Sequence, residues 1–300
     1  MSMAVSLPIS ANNSNKEMRT KKMMKIELLN KDKENISGKF DHEKEHAPFM
    51  AQGNQLCTLG IKEYVYQMGD KIRVTVDDVP GYYMVQMDET LAPSFLYFTQ
   101  EEWLYEIPLT ENLRKSSVET AFKSARHSLT VRKAHPFEIS NYQNLSFNAH
   151  DQKENTGVYP HASANVETSD ESVFFAKNAI DGKCANLSHG SYPFASWGIN
   201  QQADAELTID FGRYVEVDQL SLLFRCDFPH DSYWQSVEVT FSNGNCMSFD
   251  TEKQAEYQNF KFPTQQTTFI KLGHLNKAQD DSPFPALTQI EVFGKNKPVQ

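Results

Sequence analysis

Apolar and polar residues alternate with a period of two along much of this chain, in short runs separated by turn signals. Within Lys71–Val76, the side chains of Ile72, Val74 and Val76 share one face, and Asp77-Asp78-Val79-Pro80-Gly81 supplies the turn that follows. Tyr83, Val85 and Met87 alternate next, then Trp103, Tyr105, Ile107 and Leu109, then Leu129 and Val131. The series predicts an antiparallel meander folded into a β-sandwich over residues 24–140. Only Leu109–Phe122 could hold a helical turn or two.

A polar, Asn/Gln-rich stretch at 137–158 predicts the boundary to a second strand series. Leu207, Ile209 and Phe211 alternate in one strand. Leu220, Leu222, Phe224 and Cys226 form one face of the next, with Ser221, Leu223, Arg225 and Asp227 on the other. Ser236–Phe241 alternates again and runs into the hairpin signal Ser242-Asn243-Gly244-Asn245. Phe269–Leu272 and Thr288–Phe293 supply two last strands, and no internal repeat suggests a solenoid or propeller. The predicted fold is therefore all-β, with two β-sandwich domains at 24–140 and 150–296 behind a disordered leader at 1–23.

Composition narrows the classes of function. Acidic residues (39) outnumber basic ones (29), a net charge of −10, which argues against a general binder of nucleic acid or anionic membrane. The charge is uneven: +4 over residues 1–25, −5 over 26–140 and −9 over 141–300. No apolar run approaches the length of a membrane span. Cys57, Cys184, Cys226 and Cys246 lack C-x-x-C spacing, so reduced and mostly buried thiols are expected, with a Cys226–Cys246 disulfide an option in an oxidising compartment. The apolar N-terminal stretch is short, broken by Pro8, and followed rather than preceded by basic residues. No secretory signal is recognised there, and the expected localisation is cytoplasmic by default.

Some motifs lack the setting their chemistry needs. His42-Glu43-Lys44-Glu45-His46 satisfies H-E-x-x-H, but Gly38, Pro48 and polar residues all round deny it the buried helix of a zinc protease. There is no G-x-S-x-G, P-loop or G-x-G-x-x-G. The pairs Glu101-Glu102 and Asp280-Asp281 read as solvated loop charges rather than a glycosidase couple.

The second half carries a more specific pattern. ASANVETSDESVFFAKNAIDG (162–182), SHGSYPFASWG (188–198), ADAELTIDFGR (203–213), VEVDQLSLLFRCDFPHDSYW (215–234) and TQIEVFG (288–294) follow one another. Together they resemble the galactose-binding-domain-like jelly rolls, the discoidin and carbohydrate-binding module type. Residues 24–140 resemble no family by their motifs. The resemblance implies a structural Ca²⁺ site, which carries over to the Asn178 carbonyl, Asp181, Ser188 and Glu291, an oxygen set that suits a hard cation.

The resemblance also implies ligand binding on loops at one end of the sandwich. Trp197, Tyr233 and Trp234 could supply flat apolar faces for a sugar ring, and His189, Arg225, Asp227, His230 and Asp231 the polar groups that read its hydroxyls. Three readings stay open: a non-catalytic carbohydrate-binding protein with a glycan or polysaccharide partner, a protein-interaction or adhesion module, and an accessory part of a polysaccharide-degrading enzyme. The chain shows no convincing acid/base or nucleophile constellation, so it reads as a binder before an enzyme.

Overall fold

The structure, a computed structural model, describes residues 23–38, 47–184 and 188–297. The first run of strands is β1 (Met24–Leu29), β2 (Ser37–Gly38), β3 (Ala47–Pro48), β4 (Met50–Gly53), β5 (Leu56–Ile61), β6 (Lys71–Val76), β7 (Gly81–Gln86), β8 (Ser94–Phe98), β9 (Glu102–Glu106) and β10 (His127–Lys133). Helix α1 (Glu111–Lys115) lies between β9 and β10, and α2 (Pro136–Ser140) follows them. The second run is β11 (Gln143–Asn144), β12 (Val158–Tyr159), β13 (His161–Ala164), β14 (Trp197–Gly198), β15 (Leu207–Phe224), β16 (Trp234–Phe241), β17 (Cys246–Asp250), β18 (Gln258–Lys277) and β19 (Ala286–Asn296). The chain is all-β, built as two sandwiches.

In the first sandwich, a sheet of order β4-β1-β6-β9 faces one of order β12-β8-β7-β10-β5. The alternation in the sequence is what fills the space between them. Cys57, Leu59 and Ile61 of β5 are buried while Leu56, Thr58 and Gly60 face out, and Ile72, Val74 and Val76 meet Val85, Leu96 and Leu129 in one core. Strand β9 stops at Glu106, since Pro108 has no N–H for a ladder, yet the predicted face continues beyond it: Trp103, Tyr105 and Ile107 are buried in this core and Leu109 packs against it. Helix α1 begins where Thr110 accepts a hydrogen bond from Leu113 N at 3.2 Å. Helix α2 was not foreseen; Pro136 opens it and Glu138 receives the His135 N–H at 2.8 Å.

In the second sandwich the order is β11-β19-β15-β18-β16-β17, with β13 on β15 and β14 on β19. Strands β15 and β18 run 18 and 20 residues, and register shifts bend their pairing between Asp210 and Val215 and between Val217 and Gln219. This lets one continuous sheet close round a single core that includes Leu207, Ile209, Phe211, Val217, Leu222, Val239 and Ile290. The Ser242–Asn245 turn joins β16 to β17 as expected.

The Asn/Gln-rich stretch runs along both sandwiches. Its start, β11, pairs with β19, and the Leu145 N–H continues the ladder to the Val292 carbonyl. Strand β12 then pairs with β8 of the first sandwich before β13 returns to the second. Polar side chains are dense here because little of this backbone has ladder partners. Ser146 Oγ donates to Ile290 O, Asn148 Nδ2 to Pro160 O, and Met87 N of the first sandwich donates to His150 Nε2. Arg213 completes the junction. Its guanidinium carbon lies 5.2 and 5.1 Å from the ring centroids of Tyr82 and Tyr97, while its N–H groups donate to Asn296 Oδ1 and Phe211 O.

Four expectations from the sequence need correction or fall outside what the structure describes. All four cysteines are free, and Cys184 and Cys246 are exposed rather than buried. The H-E-x-x-H segment at 42–46 and all of the 1–23 leader except Met23 lie outside the described residues. Among the described residues, no helix is long and apolar enough to cross a membrane.

Candidate functional site

Strand β15 ends at Phe224, but the Arg225 N–H still bonds to the Ala286 carbonyl at 3.0 Å, so the Arg225 side chain leaves from a fixed backbone. It turns onto Asp227, with Nε donating to Oδ1 at 2.6 Å and Nη2 to Oδ2 at 2.8 Å. Both residues are 3% exposed. The same Asp227 Oδ2 lies 2.9 Å from His189 Nδ1, and this imidazole, unlike its partners, is largely exposed. Burial opposes ionisation of Asp227, but hydrogen bonds from Arg225 and His189 outweigh it and hold the carboxyl below its ordinary range.

A second ring completes the cluster. His230 stacks on His189 with centroids 5.6 Å apart and 26° between planes. It also contacts Phe174 at 6.2 Å and Phe284 at 5.9 Å. Burial and the charge of Arg225 hold the His230 ring below the usual imidazole value, so it is neutral at neutral pH. Beside it lies a cavity of about 150 Å³, lined by Thr168, Phe174, Asn200, Gln201, His230 and Phe284. Phe228, in the same loop, is 66% exposed. The arrangement offers apolar ring faces next to oriented polar groups at one end of the sandwich.

Of the residues expected to bind ligand, the fold thus gathers His189, Arg225, Asp227 and His230. The others go elsewhere. Trp197 and Trp234 are each 0% exposed and pack against one another at 6.2 Å, so neither is a stacking platform. Short β14 points the Trp197 ring inward and its Nε1 donates to Val166 O, while Trp234 meets the Phe224 ring edge-on. Tyr233 is half-buried against the same core, and Asp231 pairs with Lys253 at 3.1 Å. The rings that border the His189–His230 cluster are instead Phe174 and Phe284, with Phe228 exposed in the 228–232 loop. Only the proline-flanked setting of Phe228 and Phe284 could have marked two of these in the sequence.

The expected cation ligands are arranged differently from the expectation. A 3-10 helix (Ala176–Ile180) leads into the Asp181-Gly182 turn. Gly182 sits at φ +80°, and a Cβ there would come 2.5 Å from the Phe147 ring, so glycine is required. Asp181 Oδ1 accepts from Lys183 N at 2.9 Å, and Oδ2 pairs with Lys183 Nζ at 3.0 Å. The residue of β19 that faces this turn is Gln289. Its Nε2 donates to the Asn178 carbonyl at 2.7 Å, to Asp181 Oδ1 at 3.1 Å and to the Lys183 carbonyl at 3.0 Å.

Glu291, two residues on, interacts with Tyr257, and burial raises its carboxyl above the ordinary range despite that hydrogen bond. Ser188 is exposed, and its carbonyl accepts from Ser191 N. A Ca²⁺ ion does not fit this donor set, because the Gln289 nitrogen stands where the oxygens converge.

No protein-family model matches the chain, and no curated protein does. Solved structures do. The chain is similar to a chitosan-binding module derived from a chitosanase/glucanase of Paenibacillus sp. IK-5, at 15% identity over 50% of this chain and 98% of that one, TM-score 0.35. It is similar to a Streptococcus pneumoniae fucose binding module at 14% identity over 51% and 96%, TM-score 0.37. It is also similar to a family 32 carbohydrate-binding module from C. perfringens, solved with galactose, at 18% identity over 44% and 91%, TM-score 0.34. These are carbohydrate-binding modules, the class that the motifs of 162–294 resemble. At such identities and TM-scores the likeness extends neither to ligand nor to site residues.

Proposed function

We propose that this chain binds a glycan, without turning it over, at the loop end of the second sandwich where His189 stacks on His230 and His230 meets Phe174 and Phe284. The observation that supports this most is the buried Arg225–Asp227 pair, which holds an exposed imidazole at a defined angle beside an apolar wall. Sugars need this combination. Their C–H faces pack on aromatic rings, and their hydroxyls need polar groups whose orientation does not have to be fixed on binding. His189 offers its second ring nitrogen, and Asn200 and Gln201 offer side-chain amides at the cavity rim. A shallow site of this size gives weak affinity, raised when several copies face a repeating polymer.

A glycan array probed with the intact chain tests this. Selective binding is expected, lost in His189→Ala and Phe284→Ala while both variants stay folded. Binding retained by both variants would place the site elsewhere. The exposure of Phe228 also favours a second reading, a protein partner gripped by an apolar loop. An array silent across broad glycan classes would move the weight to that reading.

A further inference from the structure

The place where the sequence resemblance implies a cation is built here from an amide. Three oxygens from different positions converge on one nitrogen: the carbonyls of Asn178 and Lys183 and Oδ1 of Asp181 around Gln289 Nε2. The distances of 2.7–3.1 Å are those of N–H···O bonds and exceed the 2.3–2.6 Å of Ca²⁺–oxygen contacts. The amide oxygen faces away and accepts the Gly182 N–H at 2.9 Å. Flipping the amide to offer its oxygen to a metal would set Nε2 against Gly182 N–H, donor against donor, and remove three bonds.

The local charge points the same way. The second oxygen of Asp181 is taken by the Lys183 ammonium at 3.0 Å. Lys177 and Lys183 line a cavity of about 290 Å³ together with Asp181, between the two sandwiches. Lys177 has no carboxylate within ion-pair distance among the described residues; burial and the Lys183 charge lower its ammonium from the usual lysine range, against Asp181, Asp151 and Glu167. With one oxygen on the Lys183 ammonium and the other shared between Lys183 N and Gln289 Nε2, Asp181 has both oxygens engaged by donors of the chain itself.

We propose that the Gln289 amide, with the Lys183 ammonium on Asp181, takes the place of a structural cation in this chain. The second sandwich then holds its Asp181-Gly182 turn against β19 with no metal. Gln289 is buried in the sheet and ties three backbone positions of the helix end and turn to the strand, which is the work a cation would do there. Oxygens that converge on a donor need no counter-ion, and the joint is insensitive to chelators and to free Ca²⁺.

The test uses the intact chain and needs no glycan, so it stands or falls separately from the proposed binding site. Melting is followed in EDTA and in millimolar Ca²⁺, alongside equilibrium dialysis against labelled Ca²⁺. Superimposable melts and no bound Ca²⁺ are expected for the unaltered chain. Gln289→Glu places a second carboxylate against Asp181 and two carbonyls, so it should melt several degrees lower in EDTA and recover in Ca²⁺. Should that variant not fold, Gln289→Leu, which removes the donors without adding charge, should still melt several degrees low and ignore Ca²⁺. A fall in the melting temperature of the unaltered chain on adding EDTA would overturn the proposal. So would stoichiometric Ca²⁺ in the dialysis, or a Gln289→Leu protein as stable as the original.

Discussion

Replacing Asp227 by Asn isolates the contribution of the pair that holds the candidate site. The substitution keeps the shape of the side chain but leaves the Arg225 guanidinium in place, 3% exposed and unable to lose its charge. Two short charged hydrogen bonds, at 2.6 and 2.8 Å, lose their anionic acceptor. Breaking one side of a buried ion pair costs about 3–5 kcal/mol. At about 2–4 °C per kcal/mol for a chain of this order of size, the melting temperature should fall by roughly 6–20 °C. Arg225→Met combined with Asp227→Leu removes both charges and should lie within about 1 kcal/mol of the original protein.

Binding separates the two effects further. The double variant should fold yet bind glycan poorly, since His189 has lost the carboxylate that orients it. The sign of the pH response follows from the depressed Asp227 carboxyl. Its contribution is complete above the ordinary aspartate value of about 3.9 and is lost only as pH falls through the lower folded value. Scanning calorimetry across both variants decides the matter. A double variant as unstable as Asp227→Asn would show that the loss comes from shape and packing, and the orphan-charge account would fail.

Three further outcomes are expected. Trp234→Ala should cost about 3–5 kcal/mol by leaving a cavity in the core, read by urea unfolding; unchanged stability with lost glycan binding would restore it as a platform. Arg213→Met should cost about 3 kcal/mol and split a single unfolding transition into two, because the rings of Tyr82 and Tyr97 then lose the cation that joins them to β15 and β19. Burial lowers His150 to about 3 from 6.5, so the unfolded chain takes a proton that the folded one refuses, and stability should drop by about 1.4 kcal/mol per unit as pH falls below 6.5. His161, raised by Asp151 against the opposing effect of burial, acts in reverse: its contribution is present below 6.5 and lost as pH rises through its folded value. Urea titrations of His150→Gln at several pH values should show a flatter acid limb; an unaltered slope would mean the ring carries its proton in the fold.

Strands with one face on a core were legible because period two separates their sides: β5, β6 and the start of β15 bury every second residue. The end of β15 resisted the same reading. Leu220–Phe224 is buried on both faces, and Arg225 and Asp227 beyond it are buried too, so alternation could not show that these two would be covered. Aromatic residue type misled at Trp197 and Trp234, where local sequence does not distinguish a platform from a plug. Gln289 and Glu291 project from the same face of β19, and only the approach of the Asp181 turn decides between them. Phe174 and Phe284 are 110 positions apart, and the contact each makes with His230 exists only once β19 closes beside β15.

The exchange of short strands at the junction also sets an order of events during synthesis. When Lys133 has left the ribosome, the first sandwich holds its other strands, but β8 still presents an open edge, since its neighbour β12 lies 25 residues further on at Val158. Within the second sandwich, β11 waits for β19, which begins more than 140 residues later in the sequence. The first half is thus held unfinished until β12 is made, and a nascent chain passes through a window in which an exposed edge invites pairing with a stranger. Truncations ending between residues 140 and 157 would freeze that window open, and their tendency to aggregate would measure how far the two halves depend on being made together.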